Sequence, residues 1–298
     1  MEDTRIRLKC LTTNSGVYPA RNLALAMAVG DYITFLDGDD YLDEDALQHA
    51  YDCLQEQPAD VVKYGCWEEY YDVQNRHIGT KRIVLADAFY NDSNEIKQQI
   101  LPMEQLPLFG YLWNGFYRTE YIKDIALTFN IVHTFGQDFF FNFTAFSCLN
   151  SFATLAYCGY HYNKRKNNSL SSRHQKDYFI VAQEKIGLIC RRYREWQLLT
   201  PIAMAKLQWM YARTALSHVC RLIEFKGIKV AGKELEDIFA APLYRELYSN
   251  PSIRQYSLKK VILVTLLFKR QKWFLLLLGY VSNFLKWHCS VFFARIKG

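Results

Sequence analysis

The sequence predicts an α/β fold followed by a helical region, and three observations predict it. Strand-length apolar runs alternate with segments of helical spacing through the first 66 residues. Strands and helices alternating at such short spacing imply a mainly parallel sheet with right-handed crossovers. From His174 onward the pattern turns helical, and it ends in an apolar stretch whose charges are all basic.

Residues 6–11 (IRLKCL) read as a short strand, broken by the loop residues Asn14, Ser15 and Gly16. Residues 20–29 (ARNLALAMAV) have helical apolar spacing, with Gly30 as the C-terminal cap. Residues 32–36 (YITFL) form a compact strand that runs straight into Asp37, Gly38, Asp39 and Asp40. Asp43 is placed to cap the next helix, with Glu44 and Asp45 facing its dipole. That helix runs to about Gln55, and residues 59–66 (ADVVKYGC) are the next strand. Residues 67–90 suit irregular strands or a hairpin, and 93–101 a short helix. A helix at 120–126 is flanked by 113–118 (WNGFYR) and 129–141, and a strand at 152–162 leads into the polar loop 163–172. Helices follow at about 175–197, 201–224 and 231–240.

Half of the 298 residues are hydrophobic and 22% are charged, which excludes disorder and a disulfide-framework miniprotein for the chain as a whole. The net charge of +6 is too small to indicate nucleic-acid binding. The eight cysteines are scattered without a CxxC, as expected of reduced, mostly buried thiols in a cytoplasmic protein. Residues 1–10 are polar and charged, unlike a signal peptide. Between residues 257 and 298 two apolar runs, 261–268 and 273–285, flank Lys269, Arg270 and Lys272. Neither reaches the ~20 residues of a membrane span. Interfacial helices on an anionic membrane surface fit better, with core or dimer helices as the other reading. The expected organisation is 1–172, 173–256 and a basic apolar tail at 257–298.

The strongest chemical signal is YITFLDGDD at residues 32–40. A buried strand ends there in carboxylates, at the sheet edge where open α/β folds bind ligands. Two carboxylates repel a diphosphate unless a divalent cation sits between, because hard cations share carboxylate and phosphate oxygens. No P-loop is present.

In this context the chain resembles the family 2 glycosyltransferases of the GT-A fold. Asn14-Ser15-Gly16 followed by Ala20-Arg21-Asn22 is similar to the family's NxG…ARN element, and FLDGDD to its FLDSDD, the DxD motif. WNGFYR resembles the acceptor-half W…hYR segment. Gly136-Gln137-Asp138 stands where the family has ED, and residues 160–171 look like its YxYR…R…S.S loop. The resemblance covers residues 4–172. It implies a GT-A-like (Rossmann-like) domain that is N-terminally truncated, because the family's opening strands and their DDGS turn have no counterpart here.

The resemblance also implies roles. Asp37 contacts the nucleoside of the donor, Asp39 binds Mn²⁺ or Mg²⁺ on the diphosphate, and Asp138 is the base that deprotonates the acceptor. Arg165 steadies the diphosphate, Arg21 packs against the acidic turn on the nucleotide-sugar side, and Trp113 stacks on an acceptor sugar. His133 is a weaker metal or phosphate contact. The implied function is transfer from a nucleotide-diphosphate sugar to a glycan or lipid-linked acceptor in surface polysaccharide synthesis, inverting and metal-dependent. The implied place is the cytoplasmic, inner face of the membrane, with a partner chain or oligomer as a further expectation. The alternative is a non-catalytic, membrane-associated binding or scaffold protein on the same fold.

Overall fold

The computed structural model describes residues 3–130, 136–165, 178–249 and 258–288. The chain divides into two compact units, residues 1–172 and 173–298.

The first unit contains α1 (Val17–Met27), β1 (Tyr32–Ile33), β2 (Tyr41–Leu42), α2 (Ala46–Glu56), β3 (Val61–Tyr71), β4 (His77–Ile83) and β5 (Ala88–Tyr90). It continues with α3 (Ser93–Gln98), α4 (Ile100–Gln105), β6 (Gly115–Arg118), α5 (Thr119–Asp124), α6 (Gln137–Cys148) and β7 (Phe152–Arg165). These strands form one sheet of order β1-β6-β3-β7-β2, with β4 added to β3 and β5 to β7. Its spine is the β3–β7 pair, parallel from Val61↔Phe152 to Tyr71↔Arg165. Residues 61–66 are buried without alternation, as a strand covered on both faces must be. The spine slips register at Gly65. A Cβ there would lie 2.3 Å from the Ile83 carbonyl oxygen and 2.8 Å from Cys158 Sγ, so only glycine admits the close approach.

The α/β class holds, but the sheet is mixed. Parallel pairing is confined to the spine, and the remaining pairs are antiparallel. Connectivity explains this. β3 and β7 are separated by several helices, enough chain for a crossover, whereas β3 turns back into β4 over residues 72–76, and a tight turn joins only antiparallel strands. The turn is held by the Asp72 carboxylate, which accepts from the Gln74 and Arg76 amides.

Other local expectations are corrected. Residues 6–11 form no strand; they pair with no described strand, and Ile6 and Leu8 are exposed. The strand expected at 32–36 is ladder-bonded only at Tyr32–Ile33. Gly30 does not cap α1, which ends in extended backbone at Ala28. Asp43 does not cap α2, because its carboxylate is taken by His161 Nε2 at 3.0 Å. Of the described cysteines, Cys66, Cys158 and Cys190 are buried while Cys10 and Cys148 are exposed. No disulfide links the described residues.

The second unit is helical: α7 (Tyr178–Glu195), α8 (Pro201–Lys226), α9 (Ile228–Ala240), α10 (Pro242–Tyr248), α11 (Leu258–Phe268) and α12 (Lys272–His288). Thr200 caps α8 by accepting from the Ala203 amide, and Pro201 fits the first turn, where no amide partner is needed. Leu207, Tyr211, Ala212, Ala215 and Val219 make α8 the buried centre of the unit. α10 is fastened to it reciprocally: Gln208 Nε2 donates to the Leu247 carbonyl and the Tyr248 hydroxyl to the Gln208 carbonyl.

Candidate active site

The acidic turn links β1 to β2. The Asp40 amide closes it by donating to the Asp37 carbonyl at 3.1 Å. β2 then pairs antiparallel with β7, setting Tyr41 opposite His161 and Leu42 opposite Tyr160. Tyr160 consequently lies under the turn. Its hydroxyl accepts from the Asp37 amide at 3.2 Å and donates to Asp40 Oδ2 at 2.8 Å. Asn163 completes the anchor: its amide donates to Asp40 Oδ1 at 2.8 Å and its side chain to the Asp39 carbonyl at 2.6 Å. Asp40 is thus directed inward, holding the loop. Burial pushes its carboxyl up to about 6, aided by the neighbouring Asp39 and Asp37 charges and opposed by the Asn163 amide and Tyr160 hydroxyl.

With Asp40 committed to the scaffold, Asp37 and Asp39 are left for chemistry. Asp37 meets Arg21 of α1, Nη2 to Oδ1 at 3.1 Å. The same guanidinium donates from Nη1 to Asp138 Oδ1 at 2.6 Å. Arg21 is held for this double contact over the Phe129 ring, 5.6 Å from its centroid. Its neighbour Asn22 clamps the Phe129 backbone through two hydrogen bonds of 2.9 and 2.7 Å. Asp138 stands in the first turn of α6, behind Gly136 at φ +79°, a conformation that favours glycine. Burial raises the Asp138 carboxyl above the ordinary range; Arg21 pulls it down, Asp37 pushes it up and Lys63 pulls it down.

Lys63 forms the floor. It is fully buried and donates from Nζ to the Tyr111 carbonyl and, at 2.9 Å, to Asn114 Oδ1. Burial holds its ammonium well below its ordinary value. Asn142, one helical turn beyond Asp138, also donates to the Tyr111 carbonyl and accepts from the Tyr117 hydroxyl.

Arg21, Asp37 and Asp138 therefore come together, with Asp39 beside them on the same turn. Two expected residues do not join them as foreseen. Trp113 is only 3% exposed. Tyr160 stacks on it at 4.0 Å and Tyr111 at 4.4 Å, both nearly parallel, and two rings that close must occupy opposite faces. No face is left for a sugar, and Trp113 instead braces the Tyr160 that carries the turn. Arg165 lies opposite Tyr71 at the far end of β7, its guanidinium 5.6 Å from that ring. Five residues beyond Tyr160 at ~3.3 Å each, it contacts neither Asp37 nor Arg21. His133 and residues 166–172 of the expected loop lie outside the described residues.

Sequence reasoning missed Tyr160 and Asn163 as anchors and Lys63 as the floor. One signal was available. A third aspartate directly after a DxD pair must either stay in water or find buried donors, and β7 supplies them.

Among the described residues no three His, Cys, Asp or Glu side chains form a ready-made metal cage. The donor set still suits a hard cation shared with a ligand. The Asp39 carboxylate is exposed and makes no hydrogen bond or ion pair with the described residues. Mg²⁺ and Mn²⁺ are commonly held by one or two carboxylates, with phosphate oxygens and water completing the shell.

This geometry coincides with a recognised sequence family. Residues 2–146 match the family model "Glycosyl transferase family 2". Among curated proteins, the uncharacterised glycosyltransferase EpsJ of Bacillus subtilis is 27% identical over 147 residues, which is 48% of this chain and 40% of EpsJ. Glycosyltransferase GlyG of Streptococcus pneumoniae is 37% identical over 62 residues, 21% of each protein. The match thus spans less than half the length of these relatives. A solved structure of S. aureus TarS residues 1–349, in complex with UDP-GlcNAc, is similar in fold at a TM-score of 0.51 and 19% identity, covering 92% of this chain and 72% of that one. The matched segment, residues 2–146, is the one that carries Arg21, the acidic turn and Asp138, and it is this part of the chain that is similar to glycosyl transferase family 2.

Proposed function

We propose that this chain transfers a sugar from a nucleoside-diphosphate donor to a hydroxyl of a glycan or lipid-linked acceptor, as a step in surface polysaccharide synthesis. The observation that carries the reading is the single Arg21 guanidinium spanning Asp37 and Asp138. It ties the donor-side turn to the residue expected to act on the acceptor. The co-crystallised UDP-GlcNAc of TarS makes uridine nucleotides the first donors to try.

In this scheme Asp37 orients the nucleoside, and Asp39 is the residue that would hold Mn²⁺ or Mg²⁺. The cation, when bound, neutralises charge on the leaving diphosphate. Asp138 accepts the proton of the acceptor hydroxyl as that oxygen bonds to the anomeric carbon. The bond from that carbon to the diphosphate oxygen breaks, its electron pair leaves with the nucleoside diphosphate, and the anomeric configuration inverts. Burial of Asp138 suits this role, because a carboxylate with a raised pKa is a stronger base. Arg21 offsets part of that rise by favouring the ionised form.

Calorimetric titration of UDP, then GDP, with Mn²⁺ into the full chain tests the reading. Metal-dependent binding that disappears in Asp39→Asn is the expected result. A folded protein that binds neither nucleotide overturns it.

A further inference from the structure

The second unit carries a surface that the transfer chemistry does not use. α12 has one face packed. Leu275 and Leu276 are buried, Asn283 donates to the Cys220 carbonyl of α8, and a Cβ on Gly279 would lie 2.9 Å from Ile223 Cδ1. At about 100° per residue, these positions share one arc. The opposite arc presents Trp273, Phe274, Leu277, Tyr280, Val281 and Phe284, all exposed, with Trp273 at 76% and Tyr280 at 58%. α11 is different: Leu263, Val264 and Leu267 are buried. Sequence periodicity treated the two apolar runs alike, whereas only α12 leaves a continuous apolar face in water.

Charge selects the occupant. Residues 258–288 contain no acid, and their charges are Lys259, Lys260, Lys269, Arg270, Lys272 and Lys286. Lys272 is paired with Glu236 and Arg270 lies 5.5 Å from the Tyr244 ring, so the helix start is braced from within the unit. A second copy docked on this face would bring together two helix pairs whose charges are all basic, with no acid of these helices to draw them into register. An anionic bilayer supplies both the apolar phase and the countercharge, and tryptophan and tyrosine rings settle at headgroup depth. No helix among the described residues is long and apolar enough to cross a membrane. α12, 17 residues long and amphipathic, has the form of a helix lying in the interface.

We propose that the exposed face of α12 docks flat on an anionic membrane surface. Trp273, Phe274, Leu277, Tyr280 and Phe284 enter the headgroup boundary, and Lys269 faces the phosphates. Cytoplasmic leaflets carry the required negative charge. The proposal stands on the second unit alone and does not depend on the reaction assigned to the first.

The test is co-sedimentation of the full chain with vesicles of phosphatidylcholine alone or mixed with phosphatidylglycerol. Uptake by the mixed vesicles only, falling as salt rises, is expected. The double variant Trp273→Ser/Leu277→Ser should weaken uptake about tenfold or more, since binding scales with buried apolar area. Both positions are exposed, so its thermal melt and its UDP–Mn²⁺ titration should match the parent. Brominated lipid should quench tryptophan emission of the parent, a readout that needs no variant. Failure to bind mixed vesicles overturns the proposal, as does unchanged binding by the double variant. A dimer dissolved by the same substitutions, without vesicle uptake, also overturns it and assigns the face to a second copy. A failed nucleotide titration beside intact vesicle binding would strike only the catalytic reading.

Discussion

The acidic turn and α12 handle exposure in opposite ways. At the turn, polar groups are drawn inward: Asp40 is spent on Tyr160 and Asn163, and Lys63 is sealed beneath. That commitment holds Asp37 and Asp39 at the surface. On α12, apolar groups are turned outward, while glycine and asparagine make the close contacts with α8. A buried charge network specifies geometry, because each member left unpaired is costly. An exposed apolar face specifies a neighbouring phase, with little dependence on orientation. The first unit should therefore be sensitive to single atoms, and α12 mainly to summed area.

The largest expected effect is at Asp138. Asp138→Asn should lower turnover by about 10²–10⁴-fold, the usual worth of a positioned base. Its thermal midpoint should be unchanged or slightly higher. Burial raises this carboxyl in the folded chain, so folding favours the protonated form, and any stability it lends is lost as pH rises through its folded value. Steady-state kinetics beside a melting curve separate the two. An inactive, unfolded variant would end the contrast between site and scaffold.

Next comes Arg21→Met. Without the guanidinium, Asp138 faces Asp37 with less compensation, so its pKa rises further. Because the base acts when deprotonated, the acid limb of the kcat/KM–pH profile should move to higher pH. Each unit of movement costs about tenfold in rate on that limb. Activity should recover in part at alkaline pH. Arg21→Lys should restore it poorly, since an ammonium lacks the fork that reaches two carboxylates.

Tyr160→Phe should act through the scaffold. It removes the donor to Asp40 and the acceptor for the Asp37 amide while keeping the ring stacked on Trp113. A loss of roughly 1–3 kcal/mol in denaturant unfolding is expected, with weaker Mn²⁺–UDP binding. The smallest effect should be at Arg165. Arg165→Ala should leave nucleotide affinity within error by calorimetry, because its guanidinium sits by Tyr71 and away from the turn. A marked loss would mean that the far end of β7 belongs to the site.

The sequence was most readable where local signals and burial agree. The run ADVVKYGC becomes the buried start of β3, Thr200-Pro201 opens α8, and FLDGDD becomes a hydrogen-bonded turn leaving a strand. Arg21, Asp37 and Asp138 were nameable from motif order alone, although 117 positions separate Arg21 from Asp138. It was least readable where one residue type serves two ends. Trp113 stands in a motif of the acceptor half, yet its rings are consumed by Tyr111 and Tyr160. Asp43 stands where a cap belongs, yet His161 claims it.

Helical spacing, strand-length apolar runs and the placing of carboxylates after a strand are short-range properties, carried in the order of residues along the chain. They sufficed for the α/β class, the helical second half and the position of the acidic turn. Strand direction, the inward assignment of Asp40, the burial of Lys63 and the choice of α12 over α11 as the exposed face depend on which segments of the chain meet in space. Those meetings are set by packing and by the need to satisfy every buried polar group, which no single stretch of sequence can encode.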